Sequence, residues 1–459
     1  MPDRKRLLAL FDMRRKNLLI GRSALFPNTA EWPELPFRGT LRPSKPQGGF
    51  TMARWGSWQG NRYRGSRGTG KWGVLALAVL ALALAAAAVW FFLHPAGPER
   101  AESPPPAASA PAAPAPAPTP EPEPALPSPP EPVRGIYISG PVAGDPYMET
   151  LLKLVEETEL NAVVIDVKND EGQVTYRPAS GTALEIGACV HYIQDLPGLV
   201  AELKERGVYT IARIAAFKDP VLAGVRPELA LTQADGTPVS EGNGPAWVNP
   251  CLSDVWDYLE EIALGAADAG FDEVQFDYVR FPTGKAADQI DDAGQENRSD
   301  VIAQFLESVV LALHDRGVRV SADVFGTVIT NRGDGALLGQ DYPRMAELVD
   351  CLCPMVYPSH YAPGAFGLEV PDQQPYETVS AALQRSGQVL SQAGVPQVEV
   401  RAWLQDFTAT WVRGHLDYGA EEVRAQIQAV YDAGYDSWLL WNAKNSYTAE
   451  GLLPAGAQS

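Results

Sequence analysis

Two aspartates sit where a strand would deliver a carboxylate. Asp277 lies in Asp272-Glu273-Val274-Gln275-Phe276-Asp277-Tyr278-Val279-Arg280-Phe281-Pro282, and Asp323 lies in Ser321-Ala322-Asp323-Val324-Phe325-Gly326. Each closes a short β-forming run before turn residues, and strand alternation places Gln275 and Asp277 on one face with Phe276 and Tyr278 on the other. Taken alone, Asp277 reads equally well as a cap before a loop. As a pair they match a specific chemistry. Cleaving a glycosidic bond requires one carboxyl to protonate the leaving oxygen and a second to act as nucleophile or base. Neighbouring strands lie about 4.8 Å apart, so carboxyls at equal height could approach the ~5–5.5 Å separation of a retaining pair. Such closeness would also drive their pKa values apart, as the two roles demand.

Other strand ends carry groups suited to a sugar ring. The candidates for contact with substrate are Asp166, Lys168, Arg213, Arg280, Tyr357, His360, Trp403, Gln405, Trp441 and Asn442. Aromatic faces stack on the apolar faces of pyranoses, while Arg, Asn and Gln bind hydroxyls. For Asp166 and Arg213 a buried ion pair is an equal alternative, and His360 is as well placed to orient Tyr357 as to touch substrate.

The elements that must position these groups alternate from Val133 to the end of the chain. Strands are expected at Gly135–Ser139, Ala162–Lys168, Tyr209–Ala215, Glu273–Val279, Val318–Val324, Cys351–Tyr357, Val398–Leu404 and Ser437–Asn442. Helical patterns fill the gaps, and several end in a glycine that opens the next strand, as in Arg316-Gly317-Val318 and Ala433-Gly434-Tyr435; that punctuation marks βα units. Eight such units in about 325 residues predict a (β/α)8 TIM barrel, in which strand-end residues line the active-site mouth. A doubly wound open sheet is the alternative, but no glycine-rich dinucleotide fingerprint follows the first strand.

Charge divides the chain. The whole carries a net charge of −19, yet residues 1–72 hold 15 Lys+Arg against 4 Asp+Glu, a net of +11, leaving 22 against 52, a net of −30. Between the halves, residues 73–93 (GVLALAVLALALAAAAVWFFL) run without a charge. At 1.5 Å per residue this is roughly 30 Å, the thickness of a bilayer core. The basic flank is expected to stay cytoplasmic, placing residues 133–459 outside. A cleaved signal peptide is the alternative, although the run exceeds the usual ~7–15 apolar residues. Residues 94–132 are rich in Pro and Ala, a semi-rigid spacer. Residues 1–72 read as a disordered cytoplasmic tail, or as the product of a start upstream of a true one at Met52; their charges are too scattered for a nucleic-acid-binding tail. The expected partners are therefore a lipid bilayer and a polysaccharide or oligosaccharide, not nucleic acid.

No metal or cofactor is expected: the five His form no ligand motif, and there is no P-loop and no G-x-S-x-G elbow. Cys351 and Cys353 share a strand face and read as buried thiols. Cys189 and Cys251 fall in long loops on one rim, and an extracytoplasmic setting would permit a bridge between them; the spacing leaves this open.

Beyond these residue-level readings, the span from Arg134 to Tyr447 resembles a bacterial glycoside-hydrolase-type domain long designated only as a domain of unknown function. The resemblance rests on R-G-I-Y at 134–137, I-D-V-K at 165–168, I-A-R-I-A-A-F-K-D-P at 211–220 and A-W-V-N-P at 246–250. It continues through F-D-E-V-Q-F-D-Y-V-R-F-P at 271–282, S-A-D-V-F-G at 321–326 and P-M-V-Y-P-S-H-Y at 354–361. It implies a TIM barrel related to retaining α-glycosidase-like barrels, with the strand-four Asp277 as nucleophile; the acid/base of related barrels lies on strand five or six, so Asp323 is one candidate. Cys251 departs from the family, where an aromatic is commoner. The expectation is a membrane-anchored hydrolase of an extracellular or cell-envelope polysaccharide. The alternative is a barrel that binds carbohydrate, or an envelope partner, without turnover.

Overall fold

The computed structural model describes residues 132–457 except 242–243, 288 and 291–296, together with residues 126 and 128–130. The basic segment, the apolar run at 73–93 and almost all of the Pro/Ala-rich spacer lie outside the described residues. Among the described residues no helix is long and apolar enough to cross a membrane.

Those residues form eight parallel strands: β1 (Arg134–Ile138), β2 (Ala162–Lys168), β3 (Tyr209–Ala215), β4 (Glu273–Asp277), β5 (Arg319–Phe325), β6 (Cys351–Met355), β7 (Glu399–Val400 and Ala402–Gln405) and β8 (Trp438–Trp441). They pair in chain order, β8 hydrogen-bonds back to β1, and Met355 pairs with Trp403 to join β6 to β7. The sheet is thus a closed parallel barrel, as the alternation predicts. Its principal helices are α1 (Met148–Glu157), α2 (Leu196–Glu205), α3 (Ser253–Asp268), α4 (Arg298–His314), α5 (Tyr342–Ala346), α6 (Pro375–Ala393) and α7 (Ala420–Asp432).

Period-two alternation sorts the strand side chains into two cores. Outward residues such as Val163, Ile165, Ile214, Phe276, Val320 and Val324 pack beneath the helices. Inward residues such as Val164, Ile211, Cys351, Cys353 and Leu439 fill the barrel. Each fully buried aliphatic or aromatic side chain contributes about 1.5–3 kcal/mol, so this double layer dominates stability. Helix boundaries follow local chemistry. Asp195 caps α2 by accepting from Gly198 N at 3.0 Å, and Asn297 caps α4 by accepting from Ser299 N at 2.9 Å. Gly394 ends α6 at φ 84°, a left-handed position that a side chain would strain.

The floor is a buried ion network. Glu273, at the start of β4, accepts from Arg401 Nη1 at 2.9 Å, Ser321 Oγ at 2.5 Å and Tyr209 Oη at 3.0 Å. Arg401 alternates on one face of strand seven with Trp403 and Gln405, a position that alone would read as rim; it is instead fully buried at this lower end, where β7 is interrupted. Floor and rim are therefore chemically separate layers of one barrel.

Candidate active site

The mouth is organised around Arg213 on β3. Its guanidinium donates to Asp166 Oδ1 at 2.5 Å and to Asp277 Oδ2 from both Nη2 (2.5 Å) and Nε (3.1 Å). It also lies 5.5 Å from the Tyr137 ring and 5.2 Å from the Trp441 ring, which stack on each other at 4.1 Å. Tyr137 completes the set by donating its hydroxyl to Asp166 Oδ2 at 2.6 Å. A planar fork between two carboxylates cannot rotate without losing one of them, so Arg213 fixes the position of Asp277.

Asp277 is held from a second side. Its Oδ1 accepts from the Tyr278 backbone N–H at 2.6 Å. Tyr278 sits at φ 49°, left-handed for a residue with a bulky side chain. That conformation costs about 1–3 kcal/mol and persists only where surroundings enforce it. It ends β4 at Asp277, two residues before the alternating sequence pattern suggests. The strain falls directly after the candidate nucleophile.

Asp323 stands beside it. The β4–β5 register pairs Gln275 with Ser321 and Phe276 with Ala322, so Asp277 and Asp323 are the next residues on adjacent strands. Asp323 Oδ1 accepts from Trp403 Nε1 at 2.7 Å, and Oδ2 receives no hydrogen bond from the described residues. Burial, then the charge of Asp277, then Cys353 hold the Asp323 carboxyl well above the usual carboxylate range, against the pull of Arg213 and Trp403. Burial raises Asp166 too, with Arg213 opposing. Burial would lower the Arg213 pKa, but Asp166 and Asp277 outweigh it and lift it well above its ordinary value, so it stays a cation. Burial, Asp323 and Asp277 together push the Tyr357 hydroxyl well up, which keeps it a hydrogen-bond donor at this mouth. Trp403 and Trp441 meet edge to face at 5.6 Å and line the wall between β7 and β8.

Of the residues the sequence singles out, Asp166, Arg213, Asp277, Asp323, Tyr357, Trp403 and Trp441 converge. Four have partners outside the Arg213 network. Lys168 is fully buried, ion-paired with Asp219 at 3.0 Å and bonded to Ala215 O at 2.6 Å, because the register shift after Asp166 turns it towards the loop after β3. Arg280 lies 4.5–5.0 Å from the rings of Phe325, Trp247 and Tyr278 and donates to Phe281 O. Gln405 braces loops, accepting from Ser359 N and donating to Asp372 and Phe407 O. Asn442 holds its own turn through Asp406 O, Ser446 O and Lys444 N. His360 is exposed on the rim, edge-on to Tyr357 at 5.2 Å and bonded to Ser359 Oγ at 3.0 Å.

The bridge between Cys189 and Cys251 is not formed; both are present as thiols. Each loop is already closed locally: Cys189 pairs with Val174, and the Cys251 N–H is taken by Asn249 Oδ1 at 3.0 Å. Cys351 and Cys353 are buried thiols as expected, with sulfurs 3.7 Å apart. Sequence reasoning missed Tyr137, although alternation along Arg134-Gly135-Ile136-Tyr137 puts it inward, paired with Val164, from where its hydroxyl reaches Asp166. It also missed Phe407 and Trp411, which lie in a loop without periodicity.

A closed parallel barrel with two carboxyls in register at the C-terminal ends of neighbouring strands, walled by Trp and Tyr, defines the class of barrel-type glycosyl hydrolases. The comparison by family gives the same class: residues 135–447 match the family described as "Putative glycosyl hydrolase domain", and the chain belongs to it. The glycoside hydrolase domain of PgaB (BpsB) from Bordetella bronchiseptica is similar in fold, with a TM-score of 0.50, 16% identity, and coverage of 68% of this chain and 94% of that one. A hypothetical protein from Ruminiclostridium thermocellum ATCC 27405 is 34% identical over 41% of this chain and 97% of its own, with a TM-score of 0.38. The glycoside hydrolase domain of PelA from Pseudomonas aeruginosa is 13% identical, covering 71% of this chain and 97% of its own, with a TM-score of 0.40. No curated protein sequence matches.

Proposed function

We propose that this enzyme is a retaining glycoside hydrolase in which Asp277 is the nucleophile and Asp323 the acid/base. The observation that carries the reading is the unequal setting of two in-register carboxyls. Asp277 is ion-paired with Arg213, while Asp323 is pushed towards its protonated form by burial and by Asp277. In the first step Asp277 attacks the anomeric carbon and the bond to the leaving oxygen breaks as Asp323 gives that oxygen its proton. In the second, Asp323, now a carboxylate, takes a proton from water as the water oxygen attacks the anomeric carbon and frees Asp277. Tyr137 and Asp166 act through Arg213 as positioning residues, and Tyr357, Trp403 and Trp441 supply faces and donors for the sugar.

The proposed substrate is a polysaccharide of the extracellular space or cell envelope. Residues 73–93 would anchor the chain in the membrane, with the acidic barrel outside and residues 94–132 as spacer. The support is the uncharged run, its basic flank and the −30 net charge beyond residue 72. Hydrolysis of a polysaccharide panel by the full-length protein beside its Asp277→Asn variant tests the reading: release of reducing ends by the first and not the second is expected.

One observation favours a second reading. Both Asp277 oxygens and the Arg213 fork are already engaged within the barrel, and Arg213 is only 2% exposed. Such a network also suits a barrel that binds carbohydrate without turnover. In that case wild-type protein would bind glycans and release no reducing ends.

A further inference from the structure

The large hydrophobic side chains left exposed among the described residues share one end of the barrel. Tyr147, Tyr192, Val225 and Trp411 lie after β1, β2, β3 and β7 respectively, all between a strand's C-terminal end and the next principal helix. Trp411, with 52% exposure, is continuous with the site. Its indole stacks on Phe407 at 6.0 Å and 25°, and Phe407 meets Tyr357 edge-on at 6.0 Å. His360 spans the same gap, 5.2 Å from Tyr357 and 6.3 Å from Trp411. Tyr357 itself packs in the same buried cluster as Trp403, which donates to Asp323 at 2.7 Å. A ledge of rings therefore runs from the carboxyl pair out to solvent.

The loop bearing this ledge is pinned rather than loose. Leu416 N donates to Asp372 Oδ2 at 3.2 Å, Tyr418 N to Thr408 Oγ1 at 3.0 Å, and Tyr418 Oη to Asp372 O at 3.1 Å. Ala409 is fully buried beneath it. A half-exposed indole held in place by buried anchors has already lost the freedom that binding would otherwise remove. The flat apolar face it presents is the chemistry that stacks on a pyranose.

Resting on the glycosidase reading above, we infer that Phe407 and Trp411 form a distal sugar subsite, so that the substrate is a polymer bound across several residues rather than a single sugar unit. Trp411 lies two ring contacts beyond Tyr357. Its task is to grip the chain, not to take part in bond cleavage.

Affinity electrophoresis of the full-length protein in gels cast with glycol chitin, dextran, galactomannan or xylan tests this, using the Asp277→Asn background so that the polymer survives. Retardation by at least one polymer is expected. Trp411→Ala should weaken it about tenfold, the scale of losing one aromatic anchor, and Trp411→Tyr should restore most of it. Arg385→Ala, on the exposed side of α6, should leave it unchanged. Equal retardation of Trp411→Ala and its parent, or no retardation by any of the four polymers, would overturn the subsite. Trp411-dependent binding by a wild-type protein that hydrolyses none of them would uphold the subsite and refute the catalytic reading instead.

Discussion

Asp277 and Asp323 stand side by side on β4 and β5, yet one is tied to a guanidinium and the other to an indole N–H. That difference in partner, more than position, separates their proposed roles. Arg213 balances the charge of Asp277, whereas a single neutral donor on Asp323 does not offset its burial beside another carboxylate.

Replacing Asp323 tests the acid role through the leaving group. General acid catalysis contributes typically 10²–10⁴-fold, so Asp323→Asn should lose about that much on a natural glycan. An aryl glycoside whose phenol needs no proton should lose far less in its first, bond-breaking step. Pre-steady-state release of phenol measures that step; equal losses on both substrates would assign the acid elsewhere on the rim.

A raised pKa carries a pH signature. The folded Asp323 value lies above the unfolded aspartate value of about 3.9. Its contribution to stability is therefore fully present below about pH 3.9 and lost as pH rises through the folded value. Activity should fall over the same upper range as the acid loses its proton. Asp323→Asn should flatten the rise of unfolding free energy towards acid in urea titrations at stepped pH, relative to wild type; an unchanged pH slope would contradict the raised value.

Trp403→Phe offers a subtler probe. The indole N–H lowers the Asp323 value by favouring its charged form. Without it, the alkaline limb of kcat/KM should move to higher pH. Movement to lower pH, with the protein still folded by circular dichroism, would show that the hydrogen bond does not act on the ionised acid.

Arg213 links catalysis to stability. Arg213→Met would leave Asp166 and Asp277 buried without their cation, a change that costs about 3–5 kcal/mol. Adding Asp166→Asn should recover part of the loss, because one of the two uncompensated charges is removed. Denaturant unfolding of both variants measures this; a loss near zero in the single variant would mean that the pair is solvated.

The barrel was legible because its elements are periodic. β2 and β3 begin and end where alternation puts them, Ala162–Lys168 and Tyr209–Ala215. β4 stops early because Tyr278 adopts a left-handed conformation that no local pattern announces. Lys168 misled because one bulge in β2 re-aims everything after it. Arg401 misled for a related reason: from strand position alone it reads as rim, but its partner Glu273 lies 128 residues away on the floor. The placement of Asp277 and Asp323 at neighbouring strand ends was legible because strand ends in a barrel have a known outlook. Trp411 was not, since loop aromatics acquire their meaning only from what they are stacked against.

The most direct measurement of the central claim is capture of the covalent intermediate. Asp323→Ala should form the glycosyl-enzyme from an aryl glycoside that the wild type cleaves, and then resolve it slowly for want of a base. Intact mass should rise by one glycosyl unit, and peptide mapping should place it on the peptide containing Asp277. An adduct on another residue, or no adduct together with a product of inverted anomeric configuration, would contradict Asp277 as the nucleophile.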